Sequence, residues 1–438
     1  MAIEIPTKAA TATRSATLSA RYHAVRNWTR VLCKPLVTED YVVRSMLDVS
    51  PTKWHLAHTS WFFETFVLKP NLPTYRPLDQ RYAFLFNSYY VQAGERHCRA
   101  QRGLATRPTV EEVYVYRTHV DMAMDELFGR LGTNSSTVEP LLDLIELGLQ
   151  HEQQHQELIL TDIKHVFWMN PLRPTYHAPD TDPPQPTSLV APATPAWLNI
   201  AEGVHEIGHT GDGFAFDNEG PRHSVYLRSA RLAAQLVTNR EYLAFMDDGG
   251  YRRPELWLSA GWDAVHTEGW EAPLYWERDG SEWHAFTLRG THAIVPDEPV
   301  CHLSFFEADA FARWAGARLP TEAEWEVTAA HLALLDADAN AYAEGKRYHP
   351  QRVTSGEAPS QFFGTVWQWT ASPYVGYPGY RPVAGAVGEY NGKWMCDQWV
   401  LRGASCVTPR SHARHTYRNF FPATARWQFA GIRLAFDA

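Results

Sequence analysis

The chain has 438 residues, of which 45% are hydrophobic and 20% charged, with 40 basic against 49 acidic residues and a net charge of −9. This composition excludes a mainly disordered chain, and the length predicts two or three domains. No basic block stands out, which argues against nucleic-acid binding by electrostatics.

Residues 1–170 read as helical. Helix-compatible stretches at 13–33, 39–68, 109–132 and 138–169 predict an antiparallel four-helix bundle. Pro51 divides the second stretch and opens a new helix. Thr137 reads as the N-cap of the last, which carries Leu141, Leu142, Leu144, Ile145, Leu147, Leu149, Leu158 and Leu160. Residues 171–196 hold eight prolines and few apolar anchors, the pattern of an extended linker running over the surface. From Trp197 to Ala438, Gly, Trp and Tyr punctuate short apolar runs: HSVYL (223–227), HAIVP (292–296) and WVLRGAS (399–405). With short helices expected at 238–248 and 304–316, this reads as a loop-rich α+β domain that carries its function on long loops.

The cysteines, Cys33, Cys98, Cys301, Cys396 and Cys406, are widely spaced and form no C-x-x-C. That argues against a disulfide framework or a Cys-rich zinc site. The first residues hold no apolar core of signal-peptide length. No run of about 18 apolar residues occurs, so no membrane span is expected. A reducing cytoplasm is the expected location.

Three segments carry chemistry. The first is His151-Glu152-Gln153-Gln154-His155-Gln156-Glu157, inside the last bundle helix. Residues four apart are about 40° apart around a helix, so His151 and His155 project from one face and can grip one metal. Taken alone, such a pair is more often two exposed helix histidines. The second is Trp54-His55-Leu56-Ala57-His58-Thr59-Ser60-Trp61, where a buried His needs a reason. His58 is the candidate third ligand, and His55, on nearly the same face, competes with it. Three neutral imidazoles suit zinc, copper or ferrous iron, and three protein ligands leave positions open for substrates. The third segment runs from Asn87 to Gly103. Its paired Tyr89 and Tyr90 lie beside Arg99 and Arg102, which can supply a phenol and a carboxylate clamp; the alternative is a solvated basic loop.

Four further motifs lie in the second half: LPTEAEWE (319–326), GTVWQWT (364–370), LRGAS (401–405) and FAGIRLA (429–435). Physically they read as scaffold, made of turns, buried Trp and buried ion pairs. In this order they resemble the formylglycine-generating-enzyme (sulfatase-modifying factor) domain, a C-type-lectin-like α+β fold. The first half resembles a DinB-like four-helix bundle. The combination of L-A-H, H-x-x-x-H-x-E and the second domain resembles the ergothioneine-biosynthesis sulfoxide synthases over nearly the whole chain.

The resemblance implies a non-haem iron(II) enzyme. It would use O₂ to join a thiol to C2 of the imidazole of hercynine (Nα-trimethylhistidine) and oxidise the sulfur. It implies His58, His151 and His155 as iron ligands and Gln154 facing the substrate imidazole. Arg99 and Arg102 would hold the thiol substrate's carboxylate, and Asn419, with Phe420 and Phe421, would contact the trimethylated histidine, together with the Trp-rich loop around Trp367. The departures are specific. Cys406 has no partner cysteine in the residues that follow, so formylglycine generation is not expected. Members that use γ-glutamylcysteine carry an acidic residue and an Arg where this chain has Phe421 and Ala425, so free cysteine is the expected thiol. Some branches place a catalytic tyrosine in the loop that here runs Tyr380–Tyr390. No tyrosine stands at the matching place, and Tyr89 and Tyr90 are the expected replacements, ahead of Tyr377 and Tyr380.

Rival readings are a γ-glutamylcysteine-using, ovothiol-type or selenium-inserting enzyme on the same scaffold, or a lectin-like binding module. The ovothiol type usually adds a methyltransferase domain, and this chain ends at Ala438. Asp212, Asp217 and Glu219 are weak candidates for a calcium site.

Overall fold

A computed structural model describes residues 8–131, 135–177, 197–211, 213–332, 341–353 and 359–438. Most of the expected linker (178–196), Asp212 and the Thr137 side chain fall outside that description. The chain divides into two compact units. One comprises Met1–Met169 with Val383–Tyr390, the other Asn170–Pro382 with Asn391–Ala438.

The first unit is a helical bundle. Helix α1 (Lys8–Cys33) packs against α6 (Ser135–Met169), and α2 (Thr52–Phe62) packs against both α5 (Val110–Arg130) and α6. Pro51 is the N-cap of α2 and fixes where it starts. All 11 residues of α2 are buried, so it is the central helix. It runs on through a π turn (Phe63–Leu68) into the short α3 (Lys69–Asn71), and α4 (Tyr82–Leu85) follows. Helix α5 starts at a capping box: Thr109 Oγ1 accepts the Glu112 N–H at 3.1 Å, and the Glu112 carboxylate accepts the Thr109 N–H. Helix α6 begins at Ser135, so Thr137 lies inside it rather than at its cap.

One buried cluster ties the bundle together. The Glu152 carboxylate accepts from Arg26 (3.0 Å), Arg117 (2.9 Å) and Thr29 (2.7 Å). Burial alone would raise its pKa. The two guanidinium charges overcome that and hold it down to about 2.

Among the described residues, the second unit contains four small sheets. Strands β1 (Trp197–Ile200), β4 (Ala230–Ala233) and β12 (Ala435–Asp437) form one, in the order β1-β4-β12. Strands β2 (Gly203–Ile207) and β3 (His223–Leu227) form a second, and β5 (Trp276–Asp279), β6 (Glu282–Thr287) and β7 (Gly290–Ala293) a third. The fourth has the order β10-β9-β8-β11, from β8 (Trp367–Pro373), β9 (Trp399–Gly403), β10 (Asn419–Phe421) and β11 (Ala430–Gly431); β11 is parallel to β8. Helices α7 (Asn239–Asp247), α8 (Ser259–Glu268), α9 (Phe305–Trp314) and α10 (Glu322–Leu332) complete it. The protein is therefore multidomain, with a helical bundle followed by an α+β domain.

HSVYL coincides with β3, whereas only the start of HAIVP is strand, at the end of β7. LPTEAEWE proves to open a helix, α10. The start of the expected linker is packed in place, with the Tyr176 and His177 N–H groups both donating to the Leu288 carbonyl at 2.9 Å.

The motifs of the second half build its core. Trp325 Nε1 and Arg433 Nε both donate to Gln368 Oε1, at 2.6 and 2.8 Å. Arg402 bonds Glu326, and Arg418 bonds Glu322 at 2.8 Å. Gly403 has φ +102°, and a Cβ there would sit 2.5 Å from the Phe362 carbonyl oxygen. The backbone position and the space both require glycine.

Candidate metal centre

The site begins with how closely α2 and α6 approach. Gly148 lies one turn before His151, and a Cβ on it would sit 2.7 Å from the Phe63 ring and 2.9 Å from that of Phe62. The missing side chain lets α6 lie directly on the C-terminal turn of α2. That approach brings the His151–His155 face against the face that carries His58.

His58 is 1% exposed and sandwiched between Trp54 (ring centroids 4.5 Å apart, 13° between planes) and Trp61 (5.4 Å, 14°). Its Nδ1 is 2.6 Å from the Phe86 carbonyl oxygen. A carbonyl only accepts, so Nδ1 carries the proton and Nε2 presents a bare lone pair. His155 Nε2 is 3.1 Å from His151 Nε2. One ring nitrogen from each of the three histidines lies within 4.8 Å of the others, and this is the one such metal-competent group among the described residues. His151 Nδ1 is buried with no hydrogen-bond partner.

Burial dominates the electrostatics. It pushes His58 and His155 well below the usual imidazole range and His151 down to about 3. At neutral pH all three are uncharged donors, the form in which imidazole binds a metal. The set is three neutral nitrogens with no carboxylate. It fits a divalent transition ion with coordination positions left over.

His55 does not join the set. Its Nδ1 is 2.8 Å from His155 Nδ1, and its Nε2 is 3.0 Å from Asp162 Oδ2. The competition between the two α2 histidines is thus decided by their partners.

Tyr89 and Tyr90 stack on each other, centroids 4.8 Å apart. The Tyr90 ring is fully buried, 5.5 Å from Trp61, the residue that stacks on His58. Burial raises both phenol pKa values, so each keeps its proton. Arg102 lies over the Trp54 ring at 3.5 Å and donates to Ser50 Oγ (3.1 Å) and Ser88 Oγ (3.0 Å). Burial and the neighbouring Arg99, Arg44 and Arg96 charges push its pKa down to about 9. It has no carboxylate partner among the described residues. Arg99 is half exposed, donates to the Asp48 carbonyl and lies near its carboxylate. Gln154 is half-buried on α6 beside His155.

Two residues were not anticipated. The segment Val383–Tyr390 belongs to the bundle unit although it lies far along the chain. The buried Glu389 carboxylate accepts the Val91 N–H at 2.8 Å and the Gln92 N–H at 3.1 Å, immediately after the tyrosine pair. The Tyr390 ring stands edge-on to His151 at 5.6 Å and lies 6.2 Å from Tyr89. No local pattern marks either residue. Gly388 is the one cue, since a Cβ there would overlap the Val383 carbonyl and the tight turn demands glycine.

The remaining predicted residues lie in the second unit. Asn419, Phe420 and Phe421 form β10. Asn419 Oδ1 accepts the Phe420 N–H at 2.9 Å, Phe420 stacks on Tyr374 at 4.0 Å, and Phe421 meets Trp427 edge-on. Trp367 is not on an open loop; it is a buried residue of β8, packed against Tyr417. Tyr377 donates to Glu322 and Tyr380 to Asp217. Asp217 also accepts from Asn391, and Glu219 is paired with Arg414 and bonded by Thr416, so both carboxylates serve protein donors. No disulfide links the five cysteines, and no described helix is long and apolar enough to cross a membrane.

The family model described as the sulfatase-modifying factor enzyme 1-like domain matches residues 184–360. The chain is 27% identical to a formylglycine-generating enzyme of Thermomonospora curvata, over 48% of this chain and 87% of that one. It is 34% identical to a hercynine oxygenase of Mycolicibacterium smegmatis, over 66% of this chain and 71% of the relative. A hercynine oxygenase of Mycolicibacterium thermoresistibile is 31% identical across 91% of this chain and 90% of its own length. A likeness that spans both units, the histidine-bearing bundle included, places the chain in the hercynine oxygenase family.

Proposed function

We propose that this chain binds iron(II) through His58, His151 and His155 and uses O₂ to form the C–S bond between cysteine and C2 of the hercynine imidazole, giving the sulfoxide. The observation that carries the reading is the convergence of three buried, neutral imidazoles whose donor atoms lie within 4.8 Å of one another. When bound, iron supplies the redox chemistry that activates O₂ and the Lewis acidity that keeps a thiol sulfur deprotonated.

The chain's own residues do the rest. The Trp54–Trp61 sandwich and the Phe86 carbonyl fix the plane and tautomer of His58. The aromatic wall of Trp54, Trp61, Phe62 and Tyr90 excludes water, which strengthens every charge interaction inside. Among the described residues no carboxylate pairs with the Arg102 guanidinium, and a substrate carboxylate is the group that would complete it. Tyr89 and Tyr90 hold phenolic protons for delivery to the reacting oxygen. The Glu389 carboxylate anchors the backbone that follows them. Asn419, Phe420 and Phe421 are assigned to hercynine, whose trimethylammonium donates no N–H hydrogen bond and calls for aromatic and dipolar contacts.

Phe421 and Ala425 offer no charge to a γ-glutamyl group, which favours free cysteine. A competition assay with cysteine and γ-glutamylcysteine should show the higher kcat/KM for cysteine. Equal or reversed preference would remove the thiol assignment and leave the rest standing.

A further inference from the structure

We propose that Asp162 and His55 are positioning residues: together they set the tautomer of His155 so that its Nε2 faces the metal. The proposal rests on the metal-binding reading above and deepens it.

The argument runs outward from a carboxylate. Asp162 is 3% exposed, and its only ion-pair partner among the described residues is His55. No Arg or Lys among the described residues lies within ion-pair distance of it; the Arg102 charge acts on it only from further away, and a buried carboxylate is costly. Its Oδ2 accepts the Ser50 N–H at 2.9 Å and faces His55 Nε2 at 3.0 Å, while Oδ1 has no partner. A carboxylate only accepts, so His55 Nε2 carries a proton. In neutral His55 the other nitrogen, Nδ1, is then a bare acceptor. It lies 2.8 Å from His155 Nδ1, so His155 Nδ1 must carry a proton. One proton is then placed on His155, and its Nε2 is left as a lone pair, 3.1 Å from His151 Nε2.

Each link follows from the one before, and the chain ends on a ligand atom. His58 reaches the same state by a shorter route, through the Phe86 carbonyl. The difference is chemical. Any acceptor on the far ring nitrogen makes the ligand more electron-rich, and a charged carboxylate acting through an imidazole does so more than a neutral carbonyl. The sequence places the parts on two helices: His155 and Asp162 are two turns apart on one face of α6, and His55 stands opposite on α2.

The test is metal binding rather than turnover. Anaerobic chelator competition gives the Fe(II) dissociation constant, and the ligand-field absorption of the Co(II)-loaded protein reports the donor set. Asp162→Asn and His55→Phe should each weaken Fe(II) binding by about 10- to 100-fold and shift the Co(II) bands. His55→Gln keeps an acceptor and should recover part of the loss. A variant that does not fold shows in the circular dichroism of the metal-free protein, and the remaining variants then decide. Wild-type affinity and wild-type bands in both Asp162→Asn and His55→Phe would overturn the proposal. So would loss of the metal in His55→Phe as complete as in His155→Ala, which would make His55 a ligand. If the unaltered protein binds no Fe(II), it is the functional reading that fails.

Discussion

In the C-terminal unit, Arg402 lies against Glu326, Arg418 against Glu322, Arg414 against Glu219 and Arg426 against Glu307. Each of these four guanidinium groups meets a carboxylate, so their charges cancel within the fold, and the fully buried Arg433 is satisfied by Gln368 Oε1 and the Ala233 and Ser360 carbonyls. The bundle has one layer of the same kind, where Arg26 and Arg117 close on Glu152. On the same helix, the neighbouring His151 and the next turn's His155 do the opposite. They are neutral, their Nε2 atoms lie 3.1 Å apart, and one ring nitrogen of each lies within 4.8 Å of one on His58. Burial alone therefore does not separate scaffold from site. What separates them is whether the polar groups satisfy each other or leave donor atoms aimed at a common point.

The contrast breaks most visibly at the histidines. His58→Ala, His151→Ala and His155→Ala should each lose bound iron and measurable turnover while circular dichroism still reports the bundle. Retained iron in the His58 variant would show that the set is drawn wrongly.

On the scaffold side, Glu152→Gln removes the carboxylate that Arg117 pairs with and one of the two that hold Arg26, which keeps Asp121. It should cost about 3–5 kcal/mol in urea unfolding without changing the donor set. The pH dependence follows from the depressed pKa. Glu152 is ordinarily near 4.5 and is held to about 2. Its contribution is full above 4.5 and is lost as pH falls through about 2. The stability gap between wild type and Glu152→Gln should therefore close over that window and stay constant above it.

Arg102 sharpens the comparison, because it is a buried cation with no carboxylate within ion-pair distance among the described residues. Arg102→Ala should raise the KM for cysteine by roughly 10- to 150-fold, the equivalent of about 1.5–3 kcal/mol, and change kcat less. The half-exposed Arg99, already near Asp48, should give a smaller change.

The smallest expected effect concerns where the proton comes from. Tyr89→Phe or Tyr90→Phe should leave thiol binding largely intact and shift product from sulfoxide toward cysteine sulfinate, read as a mass-spectrometric ratio. An unchanged ratio in both variants, with a shift in Tyr390→Phe, would move the role to Tyr390.

Much of this was legible in the sequence. The helical stretches expected at 109–132, 238–248 and 304–316 begin at Thr109, Thr238 and Ser304, which the structure shows closing capping boxes, whereas the one cap read from the sequence, Thr137, lies inside its helix. The His151–His155 spacing implies a shared face through helical geometry alone. Helix α8 was invisible because its Gly261 lowers helix propensity. The glycine is there for packing, since a Cβ would sit 2.8 Å from Phe306. The opening of α10 read as a turn because its glutamates serve partners remote in sequence: Glu322 bonds Arg418 and Glu326 bonds Arg402. In the site, His55 and His58 share a helix face, and only their partners, Asp162 and the Phe86 carbonyl, tell them apart. Glu389 and Tyr390 reach the bundle from the far end of the chain, a contact that no local periodicity can announce.

The central claim is that three neutral histidines make this chain an iron-dependent C–S bond-forming oxygenase. The most direct measurement is a product assay with protein loaded anaerobically with one Fe(II) per chain, mixed with hercynine and cysteine, and then exposed to O₂. Mass spectrometry should show the hercynine–cysteine sulfoxide conjugate accumulating with multiple turnovers. It should be absent from metal-free protein and from His151→Ala. Iron bound at one per chain with no conjugate formed, or conjugate formed equally well by the His151→Ala protein, would contradict the account.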